Sequence, residues 1–320
     1  MRHEDTKRKY QGVFIAAPTP MHDDESVDLP RLRDLIRRYV DAGMTDGNAV
    51  CTILGAGGEA MCLDEMERRK VAETAVEVAD GKIPIFIGVG HTRTRTAVDL
   101  ARHADQIGAD GLQLELPYYF AATPGDAFAY ISEVAKAVEC GIALYPTPWT
   151  SNFEFDGPFV ERVCAALPNV VGLKWSTKNV SEWFRVAERF HERLSIVSNM
   201  PSCLAPSGFL AGARGYVSQG ASAAPRQNVQ IVEWLQTRSY EKAMTWLRVV
   251  EGGYYSILAD ARNGDHNGEG NFIKASLEAV GFPWGPARLP NRPMPPSIQN
   301  QFNAWAQRIA ELQLQEVTAR

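Results

Sequence analysis

Lys174 lies inside the apolar run Val170-Val171-Gly172-Leu173-Lys174-Trp175-Ser176, which reads as a buried strand. Side chains alternate along a strand, so Val171, Leu173 and Trp175 share one face while Gly172, Lys174 and Ser176 share the other. An ammonium withdrawn from water loses solvation, its pKa falls from about 10.4, and a neutral amine becomes available near neutral pH. Amines of that kind form Schiff bases with carbonyl compounds. The competing reading is a lysine that snorkels to solvent or pairs with a carboxylate, and the residues predicted to stand beside Lys174 decide between the two.

Three features fall at predicted strand ends. In Leu54-Gly55-Ala56-Gly57-Gly58-Glu59 the glycines let the backbone turn sharply and present N–H groups to an anion such as a carboxylate. Gly55-x-Gly57-x-x-Ala60 also matches a loose dinucleotide fingerprint, but an isolated match after the second strand is weak. In Ile142-Ala143-Leu144-Tyr145-Pro146-Thr147-Pro148 the alternation sends Tyr145 to the face opposite Ile142 and Leu144, where its phenol relays protons or is a satisfied core hydroxyl. Past the fourth strand comes Leu116-Pro117-Tyr118-Tyr119-Phe120, a cluster suited equally to packing, an oligomer contact or catalysis. The same strand carries Gln113 and Glu115 opposite Leu112, Leu114 and Leu116, so Glu115 either tunes the lysine or forms a structural ion pair.

The elements that must position these residues alternate in order. Strands are predicted over Val13 to Pro18, Ala49 to Gly55, Ile83 to Gly90, Gly111 to Pro117, Ile142 to Pro148, Val170 to Ser176, Leu194 to Asn199 and Gly215 to Gly220. Helical patterns start near Asp28, Asp64, Thr94, Thr123, Asp156, Asn179, Pro201 and Pro225. Such alternation predicts a closed α/β (β/α)8 TIM barrel, whose active site lies at the C-terminal ends of the strands. The expected organisation is an N-terminal arm over 1–12, the barrel over 13–238, and a C-terminal helical region over 239–320 with helices near Tyr240 to Ala261, Glu269 to Val280 and Pro296 to Leu314. Trp234, Trp246 and Trp305 are expected to pack helices.

The 320 residues are 45% hydrophobic and 22% charged, with a formal net charge of -5. That suits a large soluble core and offers no basic face for a nucleic-acid backbone. Five cysteines (Cys51, Cys62, Cys140, Cys164, Cys203) without a C-x-x-C pair suggest reduced thiols and a cytoplasmic location. The charged start has no signal-like apolar core, and no run is long enough to span a membrane. The six histidines form neither His-x-His nor His-Glu-x-x-His, so no metal is expected; His91, after the third strand, reads as a polar loop residue. No glycine-rich turn is followed by Gly-Lys-Ser/Thr, which removes a P-loop.

The order of motifs, namely G-x-x-G-E after strand two, P-Y-Y after strand four, Y-x-x-P at strand five and G-x-K at strand six, resembles the dihydrodipicolinate synthase / N-acetylneuraminate lyase family. The likeness covers about Gly12 to Gly220. It implies that Lys174 forms an imine with pyruvate or another 2-oxo acid, that Tyr145 shuttles protons and positions the substrate carboxyl, and that Tyr119 is lent across a dimer interface. It also implies that Gly55, Ala56, Gly57, Gly58 and Glu59 hold that carboxyl, that no cofactor is needed, and that the chain forms a homotetramer built from dimers. Thr150, Trp175 and Ser218 complete the expected substrate-binding set.

The departures from the family pattern point away from its best-known reaction. Ala56 and Gly57 stand where family members carry hydroxyl residues, Thr150 matches an arginine that binds the aldehyde partner's carboxylate, and Trp175 replaces an acidic residue. Ser198-Asn199-Met200-Pro201 replaces S-G-D-D. The expectation is a lyase of the aldolase or hydratase-aldolase type with a bulkier or more apolar second substrate. The alternatives are a 2-keto-3-deoxy sugar acid dehydratase, suggested by Gly285 to Pro290, a true dihydrodipicolinate synthase, an NAD(P)-dependent oxidoreductase and a non-catalytic binding protein.

Overall fold

The computed structural model describes residues 1–119 and 121–318; Phe120 of the expected aromatic cluster lies outside them. Eight parallel strands, β1 (Gly12–Ala16), β2 (Ala49–Ile53), β3 (Ile85–Gly88), β4 (Gly111–Glu115), β5 (Ile142–Tyr145), β6 (Val170–Trp175), β7 (Ser195–Ser198) and β8 (Gly215–Ser218), pair in sequence order and close β8 onto β1. This is the (β/α)8 barrel that the alternation predicted. Several helices begin where the sequence places a cap: Asp28, Asp64, Thr123, Asp156 and Asn179 each accept a hydrogen bond from a backbone N–H of the first helical turn. The expected β5 stops at Tyr145 instead of Pro148. Pro146 and Pro148 have no N–H to give a sheet ladder, and Pro148 instead opens the short helix Pro148–Ser151.

Strand alternation sorts the side chains into two layers. Phe14, Val50, Phe86, Ala143, Val197 and Val217 fill the barrel interior, whereas Ile15, Cys51, Ile53, Leu114, Leu144 and Leu173 pack outward against the helices. Residues 1–12, expected as an arm, contain the helix Arg2–Lys9 laid against the start of the strands. Its Thr6 hydroxyl donates to the Asp110 carbonyl at 2.7 Å and accepts the Gly141 N–H at 3.0 Å. Tyr10 then enters the interior, its ring 4.8 Å from that of Phe86. At Gly172 a Cβ would stand 2.8 Å from the Tyr10 ring and 2.9 Å from the Ala143 methyl, so the plug requires glycine there. The barrel is thereby closed to water below Lys174.

The C-terminal region consists of Tyr240–Leu247 and Gly253–Asn263, joined by the π-helical turn Arg248–Gly252, then Glu269–Ala279 and Pro296–Thr318. The tryptophans pack helices as expected: Trp234 meets Trp246 at 4.9 Å edge to face, and the Trp305 indole donates to the Val250 carbonyl at 2.9 Å. Helix Glu269–Ala279 lies on the glycine turn after β2. A Cβ on Gly57 would come 2.7 Å from the end of the Ile273 side chain and 3.0 Å from the Ala16 methyl, so glycine gives this approach its room. Lys274 forms an ion pair with Glu59 at 2.8 Å and donates to the Pro286 carbonyl at 2.7 Å. Arg288 binds the Glu67 carboxylate and the Cys62 carbonyl, so the stretch Gly285 to Pro290 acts as a strap between the C-terminal region and the barrel.

Burial pushes the Glu59 carboxyl up and the Lys274 ammonium down, and their contact opposes both shifts. Removing one charge of such a pair leaves the other uncompensated. Lys274→Met is expected to destabilise the fold by about 3–5 kcal/mol, read as a lowered midpoint in urea unfolding. A midpoint equal to that of the unsubstituted protein would show that the pair does not hold the C-terminal region down.

Candidate active site

Because β6 alternates, Lys174 shares its face with Gly172 and projects into the barrel, where it is 4% exposed. Its Nζ lies 3.9 Å from the centre of the Tyr145 ring and 4.2 Å from that of Phe14. Burial lowers its pKa from 10.5 to about 8, while Glu269 and then Glu115 pull it back upward. The difference corresponds to roughly 3 kcal/mol against the ammonium form. The ring faces favour a cation by electrostatics and temper this penalty, but desolvation is the larger effect.

Tyr145, one strand over, is 6% exposed and stands in register with Glu115 of β4. Burial raises its phenol well above the usual value, with Glu269 and Glu115 adding to the rise, so it is a neutral proton donor. Glu115 enters the interior as its parity requires, and its carboxylate accepts a hydrogen bond from the Gln113 amide. Burial raises its pKa, and the charges of Lys174 and Arg68 oppose the rise. Arg68 comes from the helix after β2 and is itself anchored to the Gly88 carbonyl at 2.9 Å. Lys174 thus stands near two carboxylates, one inside the barrel and one on the C-terminal helix.

The glycine turn spends some of its own amides. The N–H groups of Gly58, Glu59 and Ala60 bond back to Gly55 and Ala56 carbonyls, leaving those of Gly55, Ala56 and Gly57 outside the turn's hydrogen bonds. Leu54 and Glu59 bracket it at φ 64° and 54°, a left-handed conformation that non-glycine residues rarely adopt. A Cβ on Gly55 would lie 3.4 Å from the Gln113 amide nitrogen and 3.7 Å from the Thr52 methyl. The Thr52 hydroxyl and the Gln113 carbonyl oxygen are buried there without a protein hydrogen-bond partner. This concentration of polar groups around Gly55 sets the turn directly beside the barrel interior.

Three expected substrate contacts are corrected. Trp175 is fully buried in the layer between barrel and helices, on the face opposite Lys174, and cannot line the site. Glu59 commits its Oε2 to Lys274 and its N–H to the Ala56 carbonyl. Ser218 faces outward and donates to Glu251, whose carboxylate also accepts the Gln219 and Gly220 N–H groups; burial raises Glu251 to about 7. Thr150 is exposed, and its hydroxyl donates to Thr147. Tyr118 and Tyr119 are 53% and 78% exposed past the end of β4. His91 accepts the Arg93 N–H at 3.0 Å, a local turn contact.

The sequence reading passed over Glu269 and Trp149, and it named Asn199 only as part of Ser198-Asn199-Met200-Pro201. Asn199 Nδ2 donates to the Ser176 hydroxyl at 3.2 Å and reaches the Tyr145 hydroxyl at 3.5 Å. Glu269 is carried to the site by a helix far along the chain, and no local pattern could have announced it. Trp149 was visible in Pro146-Thr147-Pro148-Trp149, four residues past the end of β5, and its ring meets that of Tyr145 edge to face at 6.3 Å. Among the described residues no three His, Cys, Asp or Glu side chains converge to hold a metal ion, and no helix is long and apolar enough to cross a membrane.

A desolvated lysine, a neighbouring phenol and a glycine turn at the C-terminal ends of barrel strands form the site. The model of the dihydrodipicolinate synthetase family matches residues 9–309. The chain belongs to that family. It is 30% identical over 290 residues to a 4-hydroxy-tetrahydrodipicolinate synthase of Azoarcus sp. (strain BH72), covering 91% of this chain and 95% of the relative. A chloride-inhibited dihydrodipicolinate synthase from Acinetobacter baumannii, solved with pyruvate, superposes with a TM-score of 0.83 at 25% identity, covering 94% of this chain and 99% of the other. The N-acetylneuraminate lyase of Proteus mirabilis shares the fold, with a TM-score of 0.81 at 22% identity over 94% of this chain and 99% of that one. The protein is therefore a lyase of the Schiff-base class I aldolase superfamily.

The lowered pKa gives a direction for pH dependence. Neutral amine accumulates as pH rises through about 8, so the rate of imine formation should climb with pH to that point and level off above it. The check is the initial rate of adduct trapping across a pH series. A profile still climbing unchanged toward pH 10 would place the lysine in water.

Proposed function

We propose that Lys174 attacks the ketone of pyruvate or another 2-oxo acid and that the resulting imine carries out aldol cleavage or condensation. The observation that carries this reading is the burial of the Lys174 amine against the Tyr145 and Phe14 rings. The amine adds to the carbonyl carbon, and Tyr145 supplies a proton as the carbinolamine loses water. The protonated imine is then an electron sink. In cleavage of a 4-hydroxy-2-oxo acid, the C4 hydroxyl loses its proton, the C3–C4 bond breaks, and its electron pair moves into the iminium as an enamine. An aldehyde leaves. The enamine takes a proton at C3, and water hydrolyses the imine to release pyruvate.

The substrate carboxylate is assigned to the amides of Gly55, Ala56 and Gly57, which stand outside the turn's own hydrogen bonds. Asn199 orients the Tyr145 hydroxyl, and Glu115 and Glu269 hold the lysine's pKa from falling further. Thr150 has no guanidinium to offer an aldehyde's carboxylate, which favours an aldolase or hydratase-aldolase over condensation with aspartate semialdehyde. Dehydration of a deoxy sugar acid would use the same imine, but the stretch that suggested it, Gly285 to Pro290, is occupied as a structural strap. The exposed Tyr119 suits a residue completing a neighbouring site in a homotetramer of dimers.

Incubation with pyruvate, reduction with borohydride and mass analysis of the intact protein and its peptides test the covalent step. A stable adduct is expected on Lys174, none on Lys174→Arg, and trapping slowed about a hundredfold or more in Tyr145→Phe. Folded protein that gives no adduct with pyruvate or any other 2-oxo acid would overturn the assignment.

A further inference from the structure

Next to the imine site, between the loops that follow β5, β6 and β7, opens a cleft of about 410 Å³. Pro148, Trp149, Met200 and Pro201 supply its apolar walls, and Ser176 and Asn199 line it on the side of Tyr145. Trp149 is 60% exposed, an unusual condition for a large indole on a monomer surface. Its ring nevertheless meets Tyr145 edge to face, and Tyr145 in turn lies against the Lys174 amine. A molecule in the cleft therefore has the reactive lysine one aromatic ring away.

The cleft is lined by one acidic residue and by one lysine that is exposed to solvent, so it offers a carboxylate-bearing aldehyde no buried cation. Glu154 accepts the Thr177 hydroxyl, and Lys178 is exposed. Thr150 does not line the cleft and turns its hydroxyl back to Thr147 at 2.7 Å. The larger part of the surface left for recognition is apolar, with the Asn199 amide and the Ser176 hydroxyl on the side of Tyr145.

We infer that this cleft is the acceptor subsite and that its ligand is an aldehyde bearing a planar apolar group, an aryl ring above all, which packs on Trp149 while its oxygen faces Asn199 and Tyr145. This rests on the imine assignment to Lys174. On this assignment Trp149 takes the place that the sequence reading gave to Trp175, which lies on the wrong face of β6.

The test compares cleavage of 4-hydroxy-2-oxo-4-phenylbutanoate with that of 4-hydroxy-2-oxopentanoate, following the pyruvate released, alongside borohydride trapping with pyruvate alone. The phenyl compound is expected to have a kcat/KM at least roughly tenfold higher. Trp149→Ala should erase that preference mainly through KM, and Trp149→Phe should retain most of it. The exposed indole makes both variants compatible with folding. Equal kcat/KM for the two compounds, or a preference that survives in Trp149→Ala, would overturn the subsite assignment while leaving the imine standing. Absence of pyruvate trapping in the unsubstituted protein would overturn both.

Discussion

Desolvation of one lysine is the constraint on which the rest of the structure depends. An ammonium in water is a poor nucleophile, and the protein makes an amine by closing a barrel around it. Closure from below comes from Tyr10, Phe14 and Phe86, and the first of these fits because position 172 has no side chain. Closure from the side comes from Tyr145, whose ring lies against the amine and whose burial keeps its hydroxyl protonated. Had the lysine met a carboxylate at ion-pair distance, its charge would have been fixed. Glu115 and Glu269 instead act from further off, so the pKa settles near 8.

The C-terminal helices make the top of the site rigid. The glycine turn after β2 holds Leu54 and Glu59 in left-handed conformations, and such strain persists only where the surroundings over-determine it. Ile273 packs where Gly57 has no Cβ, Lys274 neutralises Glu59, and the Arg288 strap ties the connection to the helix after β2. A turn locked in this way can present backbone amides to an anion without reorganising when the anion arrives. The same helices deliver Glu269. The appendage is thus part of the site's electrostatics and of its geometry.

Much of this was legible in the chain. Period-two runs gave eight strands and cap residues gave helix starts, because both signals act within a few residues of one another. Parity alone sent Lys174, Tyr145, Gln113 and Glu115 inward, and the structure places them so. The misassigned residues share a cause. Glu59, Ser218 and Trp175 each sit near a strand end, where proximity in sequence suggests a ligand contact. Their side chains answer to Lys274, Glu251 and the helix layer, partners that come from distant segments or from the opposite face.

The sequence by itself determined the barrel, the inward lysine and the phenol beside it. Strand alternation is a local property of the backbone, and neighbouring strands bring residues of like parity together. Tertiary structure alone decided which polar groups were left over for a ligand. Hydrogen bonds and ion pairs between segments more than two hundred residues apart removed Glu59 from the site, just as packing set Trp149 on its rim and carried Glu269 to it. No local rule measures such competition, because the free energy of a buried charge depends on everything that surrounds it.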